Sequence, residues 1–186
     1  MAKYPYFDAL ESLAELSLRA VNLTAHDGIK KKKDDPTALL HSAQQSVCEL
    51  ENALFSDFLP PLERSDIAVL AHALLRILRA AEALALAVSP LSSRRTQGEE
   101  AEICLKMARS LAADIAMLRR IRNPREMPAL KAFRTLSADG ARAHAEAMAS
   151  CSTSRSTSRL LSLQKELRDS LSAAFDTLVA VMLNNI

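Results

Sequence analysis

The sequence contains little glycine, no tryptophan and few aromatic side chains of any kind. Only 3 of its 186 residues are glycine, a share well below the ~7% that is typical of proteins. Apolar residues make up 49% of the chain, and leucine and alanine predominate over the β-branched and aromatic residues that favour strands. A chain of this length and apolar content can bury one core. The composition therefore predicts a single all-α domain.

Two further absences exclude classes of function. The 24 basic and 22 acidic residues nearly cancel, so the chain lacks the strong positive field of a general nucleic-acid binder. The N-terminus has no apolar stretch of the signal-peptide type, and the longest clean apolar run, residues 83–88, is too short to cross a bilayer. We therefore expect a cytoplasmic protein that is at most peripheral to the inner face of the membrane.

The motifs of common catalytic and cofactor sites are also missing. The three cysteines, Cys48, Cys104 and Cys151, are widely separated and form no CxxC pair, which argues against both disulfides and a zinc site. The four histidines show no metal-site spacing, and the chain has neither a glycine-rich phosphate loop nor a nucleophile elbow. The sequence predicts a protein that is not an enzyme and that uses no cofactor.

Apolar residues recur every three or four positions along most of the chain, which is the period of an amphipathic helix. The pattern predicts six helices, at about residues 6–27, 36–58, 65–88, 99–121, 127–150 and 159–183. Because short loops place consecutive helices antiparallel, we expect a bundle of two three-helix halves, about 1–90 and 97–186, within one domain of residues 1–186.

Several local signals fix where these helices begin and end. Asp35 and Pro36 have the residue types of a cap and of a first helical position. Phe58 is the last residue of the apolar stripe of the second helix, and the Pro60–Pro61 pair ends that helix. Gly140 lies in the middle of the fifth helix, where glycine costs about 1 kcal/mol relative to alanine.

Charged residues gather at three places, and each has a structural and a functional interpretation. Four lysines at positions 30–33 suit a solvated loop, or contact with phosphate or anionic lipid. Four arginines within residues 119–125 complement the dipole of a helix C-terminus, or dock an anion or a partner. His72, Arg76 and Arg79 share the polar face of the third helix, where they are expected to be solvated; the alternative is that His72 serves as a ligand.

The acids at the start of the third helix have the same two interpretations. Glu63 and Asp66 lie in or beside its first turn, where negative charge interacts favourably with the helix dipole. Glu63 or Ser65 is also placed to cap the helix. The alternative is that these acids contact a partner.

Residues 58–83, FLPPLERSDIAVLAHALLRILRAAEA, carry the most recognisable pattern in the chain. They resemble the signature of the PhoU-like family of phosphate-transport accessory and regulatory proteins, with the chain as a divergent member of the Pit accessory type. The residues that match the family pattern are Phe58, Pro61, Arg64, Asp66 and Ile67. The first helix and the last helix also resemble those of the family, the latter with Lys165, Glu166 and Asp176 in register.

The resemblance implies a six-helix bundle that regulates phosphate uptake beside a phosphate permease. The implied partner is the cytoplasmic side of that membrane transporter, and self-association into a homo-oligomer is compatible with it. The residues that we predict to form the signature and the partner contact are Pro61, Glu63, Arg64, Asp66, Leu75 and Arg79. An alternative is a generic helical scaffold protein that has kept the fold without the transport role.

Many family members hold metal clusters with acidic ExxxD pairs, in which carboxylates four residues apart share one helix face. The corresponding pairs here are Leu40 and Gln44, Leu75 and Arg79, Ser137 and Ala141, and Ser172 and Asp176. Asp176 is the one carboxylate that remains. Because Arg79 replaces an anionic ligand, we predict that the metal clusters are absent, which also disfavours a metal-dependent enzyme or sensor. Leu40 and Leu75 are expected to be exposed and to contact a partner or another copy of the chain.

Overall fold

The computed structural model describes residues 4–25, 35–88, 99–120, 130–150 and 155–185. Within these ranges it contains six α-helices and no strand. The helices are α1 (Tyr6–Ala25), α2 (Pro36–Ser56), α3 (Arg64–Val88), α4 (Glu99–Ala116), α5 (Leu130–Ser150) and α6 (Arg155–Asn185), and α4 continues into one 3₁₀ turn, Met117–Arg120. The predicted all-α class is confirmed. The lysines at 30–33, the end of the arginine-rich segment and Cys151 lie outside the described residues.

Contacts between distant residues define how the helices run. The Ser17 hydroxyl lies 3.3 Å from the Leu74 carbonyl, which places α1 beside α3. Arg119, after α4, reaches Asp8 and Glu11 at the start of α1, so α4 and α1 are antiparallel. The two three-helix halves, α1–α3 and α4–α6, pack on each other mainly through α1 on α4 and α3 on α6. This arrangement agrees with the predicted bundle.

Helix α3 lies at the centre of the bundle, with α1, α2 and α6 packed around it. Most of its alanines and leucines are buried, on two faces, one toward each half. For this reason the expectation that Leu75 is exposed is wrong: only 4% of its surface is accessible. Leu40 is half-buried and packs on the same core. The sequence pattern marked one apolar stripe of α3, whereas the central position of the helix buries a second.

The ends of α2 account for a second difference between prediction and structure, which is the position of Phe58. The Asp35 carboxylate accepts a hydrogen bond from the Thr37 amide at 3.1 Å, and Pro36 follows, so the predicted cap is confirmed. At the other end α2 stops at Ser56, two residues before the end of the predicted stripe. Phe58 was expected to face inward, but 87% of it is exposed because the chain has already left the helix.

Candidate functional site

The residues that match the family signature lie in the turn that joins α2 to α3 and in the first turn of α3. We call residues 57–63 the α2–α3 turn. The guanidinium of Arg64 reaches back across this turn: its Nε donates to the Leu54 carbonyl at 3.0 Å, and a terminal nitrogen donates to the carbonyls of Asp57 and Phe58. The last carbonyls of a helix have no partner within it. Arg64 therefore closes the C-terminal end of α2 and fixes the path of the turn.

A tyrosine of α1 holds the side chain at the start of the same turn. The Tyr6 hydroxyl donates to the Asp57 carboxylate at 2.8 Å. Burial, reinforced by this hydrogen bond to a carboxylate, raises the pKa of Tyr6 to about 12. The turn is therefore attached to α1 as well as to α3.

The two acids of the signature make different contacts. Glu63 occupies the cap position of α3, where its carbonyl accepts from the Ile67 amide at 3.1 Å and its carboxylate lies 3.4 Å from the Ser65 hydroxyl. The Asp66 carboxylate instead accepts from the side-chain amides of Asn184 and Asn185, at 3.3 and 2.7 Å. Asp66 therefore joins the start of α3 to the end of α6, a contact that the sequence pattern did not predict.

The outer surface of the α2–α3 turn is apolar. Phe55, in the last turn of α2, is 91% exposed, and Phe58 and Leu59 are 87% and 71% exposed. Leu62 points the other way and is buried. Pro61 is exposed on the same turn. Hydrogen bonds hold the inner side of this turn, and its outer side is apolar. The turn is therefore the first candidate for a binding surface.

The eight positions of the acidic pairs do not form a metal site. Leu75 is buried, Arg79, Gln44, Ala141 and Asp176 are exposed, and the hydroxyls of Ser137 and Ser172 lie 2.9 Å apart on α5 and α6. The structure thus brings two of the eight positions, 137 and 172, into contact, but both carry neutral hydroxyls instead of carboxylates. Hard cations need several carboxylate or carbonyl oxygens. These residues do not fit the family's cluster, and in the described ranges no three His, Cys, Asp or Glu side chains are grouped to hold an ion.

A buried polar cluster that the sequence did not predict lies in the second half. Glu100, at the start of α4, accepts from Arg168 of α6 and contacts Nδ1 of His144 of α5, both at 3.0 Å. Arg168 also donates to the Gly140 carbonyl at 3.0 Å. Glu100 and Arg168 are 4% and 7% exposed. We call Glu100, His144 and Arg168 the buried charge cluster.

Gly140 is the sequence signal that points to this cluster. A Cβ at position 140 would lie 3.0 Å from Cδ of Arg168 and 3.2 Å from Ile103. The absence of a side chain therefore makes room for the arginine between α5 and α6. Glycine weakens a helix, and its presence in the middle of α5 is explained by the space that the Arg168 side chain needs.

The cluster has the chemistry of a structural ion pair. Arg168 bonds to Asp169 as well as to Glu100. Desolvation opposes the charge of Asp169, but hydrogen bonds from Lys165 and Arg168 outweigh it, and its pKa is lowered. Burial, together with the negative charge of Glu100, raises the pKa of the Cys104 thiol to about 12, which disfavours a reactive thiolate. Across the described residues no buried side-chain nitrogen or oxygen lacks a hydrogen-bond partner.

Two predicted surface features have partners on neighbouring helices. His72 is exposed, as expected, and its Nε2 lies 2.7 Å from the Glu51 carboxylate of α2. Arg119, the first of the arginine-rich segment, binds Glu11 and Asp8 of α1, and these hydrogen bonds raise its pKa. Arg119 therefore connects the two halves of the bundle, in addition to any effect on the helix dipole.

No helix in the described ranges combines the length and the apolar character needed to cross a membrane. No protein-family model matches the sequence, and no curated protein matches it either. Among solved structures the chain is similar to a PhoU-like protein from Shewanella oneidensis MR-1, with a TM-score of 0.61, 13% identity, and 96% of each chain covered. At this identity the likeness concerns the fold alone. The chain therefore has a PhoU-like fold.

Proposed function

We propose that the protein is a non-catalytic accessory protein that regulates phosphate transport by binding the cytoplasmic side of a phosphate permease. In this role it would be of the Pit accessory type of PhoU-like proteins. The observation that supports the proposal most is the fold, because the likeness to a PhoU-like protein extends over 96% of both chains. The resemblance of residues 58–67 to the family signature supports it independently.

The side-chain chemistry favours binding over catalysis. The buried charge cluster pairs its carboxylate with an arginine and a histidine, and Glu100 and Arg168 are buried, which is typical of a structural ion pair. Burial raises the pKa of the one buried cysteine in the described ranges. A turn with exposed apolar side chains, held by internal hydrogen bonds, suits contact with another macromolecule instead.

Co-purification from the native host tests the proposed partner. The tagged full-length chain is expressed at its natural level, membranes are solubilised in mild detergent, and proteins retained with the chain are quantified by mass spectrometry. A phosphate permease should be enriched at least about tenfold over a tagged unrelated helical bundle. Recovery of the chain without any phosphate permease would contradict the proposal.

Elemental analysis of the purified protein tests whether the metal clusters are absent. The acidic-pair positions hold one carboxylate, Asp176, and a cationic side chain, Arg79, so we expect well below one equivalent of iron, nickel or zinc. A stoichiometric amount of any of these metals, retained after dialysis, would contradict this prediction.

A generic helical scaffold protein is the second candidate. It is favoured by one observation, the loss of seven of the eight carboxylates of the acidic pairs, because a chain that has lost the family's metal chemistry need not have kept its partner. The same co-purification separates the two candidates. Reproducible recovery of soluble proteins in place of a permease would support the scaffold.

A further inference from the structure

We infer that the exposed apolar turn between α2 and α3 is a docking surface for a Lys/Arg-rich cytoplasmic loop of a membrane protein. The inference rests on the proposed function, and it names the surface and the chemistry of the partner segment. We call Phe55, Phe58 and Leu59 the apolar triad. Three observations support the inference: the exposure of the triad, the rigidity of its backbone, and the sign of the surrounding charge.

The exposure of the triad has no explanation within the fold. Its members are 71–91% exposed, although many smaller apolar side chains of the same half are fully buried. Large aromatic residues dominate the binding energy at protein interfaces, particularly where they fill a pocket on the partner. Two phenylalanines and a leucine within five residues therefore have the composition of an interface centre.

The backbone that carries the triad is held in one conformation. Arg64 binds carbonyls on both sides of the end of α2, and Tyr6 binds the Asp57 side chain. Leu62 is buried beneath the turn, and two prolines restrict the backbone between Leu59 and Leu62. Because the turn is already ordered, little conformational entropy is lost when a partner binds it.

The chain segment that carries the triad is acidic. Residues 43–66 contain five acids and one base. The acids are Glu49, Glu51, Asp57, Glu63 and Asp66. The single base, Arg64, has its guanidinium turned to the backbone carbonyls of the turn. The end of α6, which lies beside the turn, has no Lys or Arg after Arg168 but does have Asp176.

This charge selects among the possible occupants. Other basic side chains lie at the same end of the bundle. Lys131 and Arg134 begin α5, which packs on α4 and α6, on the side away from α2. Arg119 is paired with Asp8 and Glu11 of α1. Anionic lipid headgroups would be repelled by the acids around the triad. The cytoplasmic loops of membrane proteins, by contrast, carry an excess of Lys and Arg. A basic loop with apolar residues complements both the triad and its surroundings.

The size of the surface argues against a stable dimer through this turn. Each aromatic side chain offers about 150–250 Å² of contact area, so the triad offers roughly 500 Å². A standard stable interface buries about 800 Å² on each partner. The triad is therefore sufficient for the centre of an interface with a protein that contributes its own surrounding contacts, and it is too small to hold two copies together alone.

Photo-cross-linking in the native host identifies the occupant. The full-length chain is produced with Phe58→p-benzoylphenylalanine and, as a matched control, with Leu86→p-benzoylphenylalanine. Leu86 is 58% exposed and lies near the opposite end of α3. We expect the position-58 adduct to map to a Lys/Arg-rich cytoplasmic loop of the phosphate permease, with at least about tenfold more adduct than from position 86. An adduct with a second copy, with phospholipid or with an acidic protein segment, or none above the control, would overturn the inference.

Co-purification with surface variants gives an independent readout. The triple variant F55S/F58S/L59S should recover at least about tenfold less permease than the wild type, as is typical when an interface centre is removed. Glu63→Lys should also reduce recovery several-fold, whereas Glu99→Lys, at the far end of the bundle, should not. Because the side chains of the triad are exposed, the melting temperature of the triple variant should not fall, whereas Glu63→Lys puts a positive charge at the N-terminus of α3 and should lower it slightly. Equal recovery with a folded triple variant would contradict the inference.

The outcomes separate this inference from the proposed function. If the permease co-purifies equally with the wild type and the triple variant, the docking surface is wrong and the transport role stands. If position 58 cross-links to a basic loop of a different membrane protein and no permease is recovered, the transport role is wrong and the surface stands. Vesicles containing 30% phosphatidylserine should bind neither the wild type nor the triple variant. If the wild type binds the vesicles and the triple variant does not, the turn is a lipid-binding surface instead.

Discussion

The two halves of the bundle share an architecture but differ in what their interiors contain. Among the described residues of the first half, the buried polar side chains are the hydroxyls of Ser17 and Thr24, which donate to backbone carbonyls of neighbouring turns. In the second half Glu100 and Arg168 are buried as a charged pair, and a histidine contacts the same carboxylate. One half is therefore held by apolar packing, and the other also depends on a specific ion pair.

This difference has a physical consequence. Apolar packing is non-directional, so its loss scales with the volume removed. A buried ion pair adds little net stability over an apolar substitute, yet breaking it leaves an uncompensated charge and is strongly destabilising. The interior of the second half should therefore be the more sensitive to single changes of charge, while the interior of the first half should respond mainly to the size of the side chain.

Breaking the ion pair should give the largest effect. Glu100→Ala leaves Arg168 buried without its main partner, and we expect the free energy of unfolding to fall by about 3–5 kcal/mol in urea titrations. Glu99→Ala, at the exposed neighbouring position, should change it by less than about 0.5 kcal/mol. The double variant E100A/R168M should lose less than E100A alone. A double variant as unstable as the single one would contradict the view that unpaired charge causes the loss.

A cavity in the first half should give the next largest effect. Leu74 is fully buried in α3, and Leu74→Ala should lower the free energy of unfolding by about 3 kcal/mol. Val69→Ala, on the exposed side of the same helix, should cost about 0.5 kcal/mol or less. The effect of Leu74→Ala should be the same in low and high salt. A strong salt dependence would show that electrostatic contacts also hold this half.

The polar contacts of the first half lie at its end, and removing one should have a smaller effect. Arg64→Met deletes the hydrogen bonds to the end of α2, and we expect a loss of about 1–2 kcal/mol because the guanidinium is partly solvated. Arg76→Met, on the exposed face of α3, is the matched control and should be close to neutral. Equal effects of the two substitutions would mean that Arg64 does not fix the turn.

The smallest effect has a distinctive pH dependence. Tyr6→Phe should cost about 1 kcal/mol near neutral pH because the hydrogen bond to Asp57 is lost. The pKa of Tyr6 is raised to about 12, so the contribution of its hydroxyl is complete below pH ~10 and is lost as the pH rises through the folded pKa. The difference between wild type and variant should therefore shrink between pH 10 and 12. Asp57→Asn should move this loss to lower pH; an unchanged midpoint would contradict the contact.

The helices were predictable from the sequence because helical periodicity and caps are local signals. The positions of α1 to α6, the Asp35 cap and the stop before Pro60 follow from neighbouring residues alone. The burial of Leu75 and the exposure of Phe58 were not predictable in this way. They depend on α3 having neighbours on two sides and on the exact residue at which α2 ends.

The polar contacts were predictable only in part, because they join residues far apart in the chain. The link between Glu100 and Arg168 spans 68 residues, and the link between Asp66 and Asn185 spans 119. Gly140 was the only local sign of the first link, since its missing side chain makes room for Arg168. The identity of a partner protein is still less accessible, because it depends on a surface that the chain's own folding leaves free.

The central claim is that this PhoU-like bundle regulates phosphate uptake through its α2–α3 turn. The most direct test measures the initial rate of radiolabelled phosphate uptake in cells that lack the chain and are complemented with the wild type, L86S or F55S/F58S/L59S at matched protein levels. Wild type and L86S should restore the normal rate, and the triple variant should leave uptake as it is in the deletion. Full restoration by the folded triple variant, or no effect of the deletion itself, would contradict the claim.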